Sequence, residues 1–268
     1  MNSAAQNSGF ASYRMTNPVI RKLGKVQERA EGGAKAASYA GIAKKTAFFL
    51  LMTIVGVAAF FVVKGKYPYT NINDMGPIML LAVLGTGLLT LITPMLAWLI
   101  RPTIPVTGTL YCLSQGFILS FVCDYTGAQY TKLAWMALLI TIVIVAVMLF
   151  LYCKRIIRIT KKFNAVLKTL FFTSIFSSIG IAVLGFIPAT AGLAQYIMGN
   201  PAISIVSGVV FVIIAALFLL SDFDAIEVTV EKSLPKKYEW AAAYGLVFTV
   251  IWLYLKVLSL LSSASNKD

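Results

Sequence analysis

Residues 133–153, LAWMALLITIVIVAVMLFLYC, contain no charged side chain and are long enough to cross the hydrocarbon core of a bilayer as one helix. An uninterrupted apolar run of this length does not fit a barrel strand, which alternates in polarity and is about half as long. A helix also satisfies its own backbone hydrogen bonds, which lipid cannot do. The stretch therefore predicts a membrane-spanning α-helix.

Further apolar runs of similar length lie on both sides of it, at approximately 46–63, 78–100, 105–123, 166–187, 202–220 and 241–261. The chain is 59% hydrophobic and 12% charged, whereas a soluble domain carries about a quarter charged residues. Together the runs predict an all-α membrane protein, a seven-helix transmembrane bundle over 46–261. A cytoplasmic basic tail with a short amphipathic helix, 1–45, precedes the bundle, and a short tail, 262–268, follows it.

The basic residues indicate the orientation of these spans. The 23 lysines and arginines lie mainly in the tail and in the second, fourth and sixth loops, which share one side of a seven-span bundle. Cytoplasmic loops carry such an excess. The pattern predicts a cytoplasmic N-terminus and an outer C-terminus.

Composition also argues against several classes of function. The net charge of +13 comes from residues between apolar runs, so it indicates topology and not nucleic-acid binding. The chain has no histidine, no nucleophile elbow, no Walker-type glycine loop and no carboxylate pair shared between two spans. We expect no enzyme, no cofactor and no metal site. The three cysteines, Cys112, Cys123 and Cys153, are expected to be small packing residues.

Small residues follow one another at steps of four along the third span. They are Gly108, Cys112, Gly116 and Ser120. This spacing places them on one face of a helix, where they form a ridge that lets a second helix approach closely.

The segment Ser221-Asp222-Phe223-Asp224-Ala225-Ile226-Glu227 ends the sixth span. Asp222 directly follows an apolar stretch, so it is expected to face the bundle, where a carboxylate is costly unless wet or paired. Arg101 closes the second span on the same side, and an Asp222–Arg101 pair that opens on protonation is one hypothesis. An ordinary helix cap is the alternative. Asp224 and Glu227 are expected to lie on a solvated helix end.

Several strings of this chain resemble the Bax inhibitor-1-like family of membrane proteins, in its YccA-related bacterial branch. The strings are Asn17-Pro18-Val19, Lys45-Thr46, the segment 221–227, Tyr238-Glu239-Trp240, Tyr244-Gly245-Leu246 and Trp252-Leu253-Tyr254-Leu255. The resemblance implies a seven-helix fold with the last helix near its centre.

The resemblance also implies a set of gating residues. Members of the leak branch use an aspartate at the end of the sixth helix, a second in the seventh, and an arginine of the second helix that competes for them. Asp222 matches the first aspartate, with Asp224 beside it, and Arg101 is the match for the arginine. The second aspartate is missing: Thr249 or Lys256 stands in its place, depending on the alignment. Lys256 is close enough to the outer end of its span to reach the interface.

Two functions follow from the resemblance. One is a pH-sensitive passive leak for calcium or other cations, including protons, gated near Asp222. The other is a non-conducting interaction protein that modulates a membrane-bound protease or another membrane partner. In both cases the expected location is a bacterial cytoplasmic membrane, with the lipid bilayer as the main surrounding.

Overall fold

The computed structural model describes residues 36–70, 74–157, 159–187 and 190–265. In chain order its helices are α1 (Tyr39–Lys66), α2 (Pro77–Leu99), α3 (Ile104–Thr126), α4 (Ala128–Cys153), α5 (Lys161–Phe186), α6 (Ala191–Gly199), α7 (Pro201–Glu231) and α8 (Tyr238–Ser265). A 3-10 turn, Arg101–Thr103, links α2 to α3. The described residues form no β-strand, so the predicted all-helical class is confirmed.

Six helical segments of the described residues are long and apolar enough to cross a membrane. They are α1, α2, α3 with the turn before it, α4, α7 and α8. The predicted run at 166–187 falls in α5, where only some side chains belong to the described part of the chain. The chain is therefore a multi-pass membrane protein, while the count of seven spans and the sides of the two termini stay predictions. The predicted amphipathic helix lies outside the described residues.

Local sequence sets several helix ends. The Ser38 hydroxyl accepts a hydrogen bond from the N–H of Gly41 at 3.0 Å and so caps α1. Asn200 caps α7 in the same way, because its side-chain oxygen accepts from the N–H groups of residues 202 and 203. Gly127, with φ of 93°, ends α3 in a backbone conformation that favours glycine.

The last helix lies at the centre of the described bundle. α8 contacts α1, α3, α4 and α7, and its residues Ala243, Val247 and Leu253 have no exposed surface. α2 packs against α3 at the periphery, and α5 packs against α6 and α7. Large apolar side chains cover the outer surface of α2, where Trp98 is 83% exposed. Such a surface is stable in lipid but not in water.

α1 and α3 approach so closely that two glycines are required. A Cβ at Gly56 would lie 2.1 Å from the carbonyl oxygen of Leu113, and a Cβ at Gly116 would lie 2.0 Å from that of Thr53. Neither position has space for any larger residue unless the two backbones separate. The glycines therefore set the distance between these helices.

The remaining small residues of the third span lie on the same ridge. Cys112 and Ser120 are buried, and Gly108 leaves space for the rings of Phe49 and Tyr244, each of which would lie 2.8 Å from a Cβ there. The ridge thus extends the α1–α3 contact to the central helix α8.

We call the end of the bundle at which α1 and α8 begin and α7 ends the near end, and the opposite end the far end. At the near end, the Glu239 carboxylate has no exposed surface and forms an ion pair with Lys45 of α1. It also accepts a hydrogen bond from the N–H of Ser38 at 2.9 Å. A Cβ at Gly41 would lie 2.2 Å from the carboxylate oxygen Oε1. We call these four residues the Glu239 clasp.

The segment before α1 also binds the loop between α7 and α8. The N–H of Ala37 donates to the carbonyl of Leu234 at 2.8 Å, and Ala36 forms an isolated antiparallel bridge with Pro235. The start of α1 is thus fixed to both helices that meet at the near end.

A second ion pair fixes the far end. Lys64 of α1 pairs with Asp124 of α3, and the hydroxyl of Tyr69 donates to the same carboxylate at 2.9 Å. Burial and this hydrogen bond raise the pKa of Tyr69 above its usual value. The connection between α1 and α2 is therefore held against the end of α3.

We expect Gly116→Ala to lower the thermal unfolding midpoint of the protein in detergent. Overpacking costs about 1–3 kcal/mol, or about 3–10 °C for a chain of this size. The matched control is Gly85→Ala on α2, where a Cβ meets nothing within 4 Å. Because alanine is the better helix former, the control should leave the midpoint unchanged or raise it. Equal midpoints for the two variants would contradict the close approach of α1 and α3.

We expect Glu239→Gln to destabilise the bundle by about 3 kcal/mol, because it leaves the Lys45 ammonium without its buried partner. Adding Lys45→Met should recover at least half of the loss in unfolding midpoint, since no uncompensated charge then remains. Arg155→Ala is the control, because this arginine is 80% exposed and lies 3.9 Å from Glu227, so its loss should have no measurable effect. A double variant as unstable as Glu239→Gln alone would refute the electrostatic role of the clasp.

Candidate functional site

Asp222 lies on α7 and faces the central helix α8. Its Oδ1 atom is 3.5 Å from the position that a Cβ of Gly245 would occupy, so the carboxylate lies against α8 where glycine leaves space for it. The Thr249 side chain, one turn further along α8, is buried and acts as its hydrogen-bonding neighbour. The Oδ2 atom is buried and has no hydrogen-bond partner among the described residues. A buried carboxylate oxygen without a partner is costly, and it is therefore a candidate for a functional group.

The hypothesised Asp222–Arg101 pair is not formed. The described residues contain three ion pairs, and neither residue takes part in any of them. Arg101 is exposed in the turn after α2, and α2 packs mainly against α3. The arginine is thus on the same end of the bundle as Asp222 but on a different side of it.

The two alternatives for the missing second aspartate occupy different environments. Thr249 is beside Asp222, as described above. Lys256 is seven residues further along α8, which is about 10 Å along the helix axis. Its ammonium lies 4.7 Å from the centre of the Phe211 ring. Thr249 therefore holds the position that faces the carboxylate.

Asp224 faces a different surface from Asp222. It lines an open pocket of about 350 Å³ at the near end, together with Tyr152, Arg155, Ile157, Ile159 and Glu227. The Tyr152 hydroxyl donates a hydrogen bond to Glu227, and Arg155 is 3.9 Å from the same carboxylate. Glu227 thus connects α7 to the end of α4 while its side chain stays 30% exposed on this pocket, and the solvated helix end stays a prediction.

The buried ion pair of Glu239 with Lys45 was not predicted from the sequence. The strings that hold Glu239 and Lys45 both occur in the resemblance, but nothing in either string indicates that they meet. A carboxylate in the first turn of a helix is usually explained by the helix dipole. The lysine directly before the first apolar run was the available signal for an ion pair.

The described residues contain no group of three or more His, Cys, Asp or Glu side chains that could hold a metal ion. Asp222 instead offers one carboxylate next to one hydroxyl. Such a pair can take up and release a single proton, and its unpartnered oxygen can contact a passing cation or water molecule.

Comparisons with known proteins agree with this architecture. No curated protein and no solved structure matches the chain. A family model described as "Bax inhibitor 1 like" matches residues 17–266, which include every helix described above. The chain therefore belongs to the Bax inhibitor 1 like family.

Proposed function

We propose that this protein is a passive cation leak gated at the near end by Asp222, in a bacterial cytoplasmic membrane with the near end facing the cytoplasm. We propose a non-catalytic protein with no resident cofactor. The observation that carries the proposal is the buried Oδ2 atom of Asp222, which has no partner among the described residues. Inside a membrane bundle an ionised carboxylate requires water or a cation as its partner, and without either it takes up a proton and becomes neutral.

The contact between Asp222 and α8 supports a gate at this point. When the carboxylate is ionised, its charge favours water and cations between α7 and α8. When it is protonated, the same side chain is neutral and can pack against Gly245 and Thr249. The proton thus changes the stability of one helix contact, which is the kind of two-state element that a gate needs.

The threonine at position 249 gives this gate a simple proton dependence. Two carboxylates that share a site release their protons in two coupled steps. A carboxyl group beside a hydroxyl has only one proton to release, because the hydroxyl does not titrate. Since Arg101 is not paired with Asp222, it does not compete for the ionised form in this conformation.

We expect proton and calcium flux into liposomes that contain the purified protein, measured from about pH 5 to 8, to change with pH in a single step. Asp222→Asn should abolish the pH dependence, because the amide does not titrate. Asp224→Asn is the matched control: it removes a carboxylate two residues away that lines the separate pocket, and it should leave the step unchanged.

Flux no greater than that of empty liposomes at every pH would overturn the proposed leak. A step that survives in Asp222→Asn would instead overturn the assignment of the gate and leave the leak intact. A two-step curve would contradict the single-carboxylate site.

The second candidate is a non-conducting protein that modulates a membrane-bound protease or another membrane partner. One observation favours it: the basic tail enters the described structure at Ala36, which is bound to the loop between α7 and α8 at the near end. The tail therefore joins the bundle beside this loop, so a partner that binds the tail could contact the loop as well. The docking element on this reading is the tail itself.

Deleting residues 1–35 separates the two functions and leaves the Glu239 clasp in place. We expect the deletion variant to retain the pH-dependent flux of the full chain within about twofold, because it removes no part of the α7–α8 contact. Loss of flux on deletion, with an unchanged unfolding midpoint, would contradict a gate formed by Asp222 alone and favour a role for the tail.

A further inference from the structure

Lys256 is a basic residue inside a membrane-spanning helix. Its ammonium lies over the ring of Phe211, at 4.7 Å from the ring centre. Phe211 is ten residues after the start of α7, or about 15 Å from the helix end. Nearer to the far end, Leu260 packs against Gly208, where a Cβ would lie 3.0 Å from the leucine. The Lys256 ammonium thus lies against the Phe211 ring of α7, and the expectation that it reaches the outer interface stays a prediction.

Lys256 and Asp222 lie on the same interface between α7 and α8. The two helices run antiparallel, so residues later on α8 contact residues earlier on α7. Asp222 is level with Thr249, the rings of Phe218 and Trp252 meet at 6.0 Å one turn further, and Lys256 follows. A carboxylate and an ammonium thus stand at two levels of one helix contact.

The charge of Lys256 is not neutralised by an acidic side chain in the described part of the chain. The three ion pairs found there involve Lys45, Lys64 and Arg155. The face of an aromatic ring attracts a cation, but it carries no net charge. An ammonium in this position therefore imposes its positive charge on anything that passes along the interface.

We propose that Lys256 selects the ions of the leak: it repels cations that pass between α7 and α8, and it excludes divalent cations more strongly than monovalent ones. The inference rests on the proposed function and adds the ion class to it. Coulomb repulsion is proportional to the product of the charges. The electrostatic barrier for a divalent cation is therefore twice that for a monovalent cation. The factor by which Lys256 reduces divalent flux is then the square of the factor by which it reduces monovalent flux.

The test compares potassium and calcium flux into liposomes for the full-length chain and for Lys256→Gln. If removal of the charge raises potassium flux about tenfold, it should raise calcium flux about a hundredfold. Lys256→Arg should keep the wild-type selectivity, because it keeps the charge. The matched control is Lys168→Gln, which removes an exposed lysine of α5 away from the α7–α8 contact and should change neither flux.

Each outcome decides the proposal. Equal increases in potassium and calcium flux indicate loosened packing and overturn it, as does no increase in either ion. If Lys256→Gln does not yield a helical, monodisperse protein, Lys256→Met tests the same charge. A wild type without flux of protons, potassium or calcium overturns the proposed leak. If the wild type shows no flux but Lys256→Gln conducts calcium, the result still supports an electrostatic barrier at Lys256. If Lys256→Gln also shows no calcium flux, the proposed barrier is overturned together with the leak.

Discussion

The ion pair between Glu239 and Lys45 is the constraint on which the rest of the bundle depends. A carboxylate with no exposed surface must be neutralised and hydrogen-bonded, and here both requirements are met by the start of α1. This fixes the level at which α1 meets the central helix α8. Phe49 then packs against Tyr244, with ring centres 5.9 Å apart, and both rings fill the space that Gly108 of α3 leaves open. The glycine contact between α1 and α3 follows in the same register.

Asp222 and Glu239 are two acidic residues near the same end of the bundle, with opposite surroundings. Glu239 has an ammonium, a backbone N–H and a hydroxyl around it. Asp222 has a threonine beside one oxygen and no partner for the other among the described residues. The first arrangement favours one conformation. The surroundings of Asp222 leave one oxygen free to interact with water, a proton or a cation. This difference between the two acidic residues is the physical basis of the proposed gate.

The sequence predicted the features that depend on one helix at a time. Apolar runs located the helices, since lipid permits little else, and steps of four placed Gly116 and Ser120 on one buried face. Position in the chain also marked Asp222 as the aspartate that faces the bundle. Features that depend on which helices meet were not accessible in this way. Arg101 and Asp222 share an end of the bundle, but α2 packs on α3, so the pair does not form.

The central place of α8 has a consequence for how the chain is made. In chain order α8 follows every helix that it contacts, so a ribosome delivers it after those helices. Until then, the groove between α1 and α7 is open, Lys45 has no carboxylate, and Asp222 has no helix opposite it. A chain that stops before residue 238 therefore leaves the Lys45 ammonium and the Asp222 carboxylate without the groups of α8 that face them in the complete bundle.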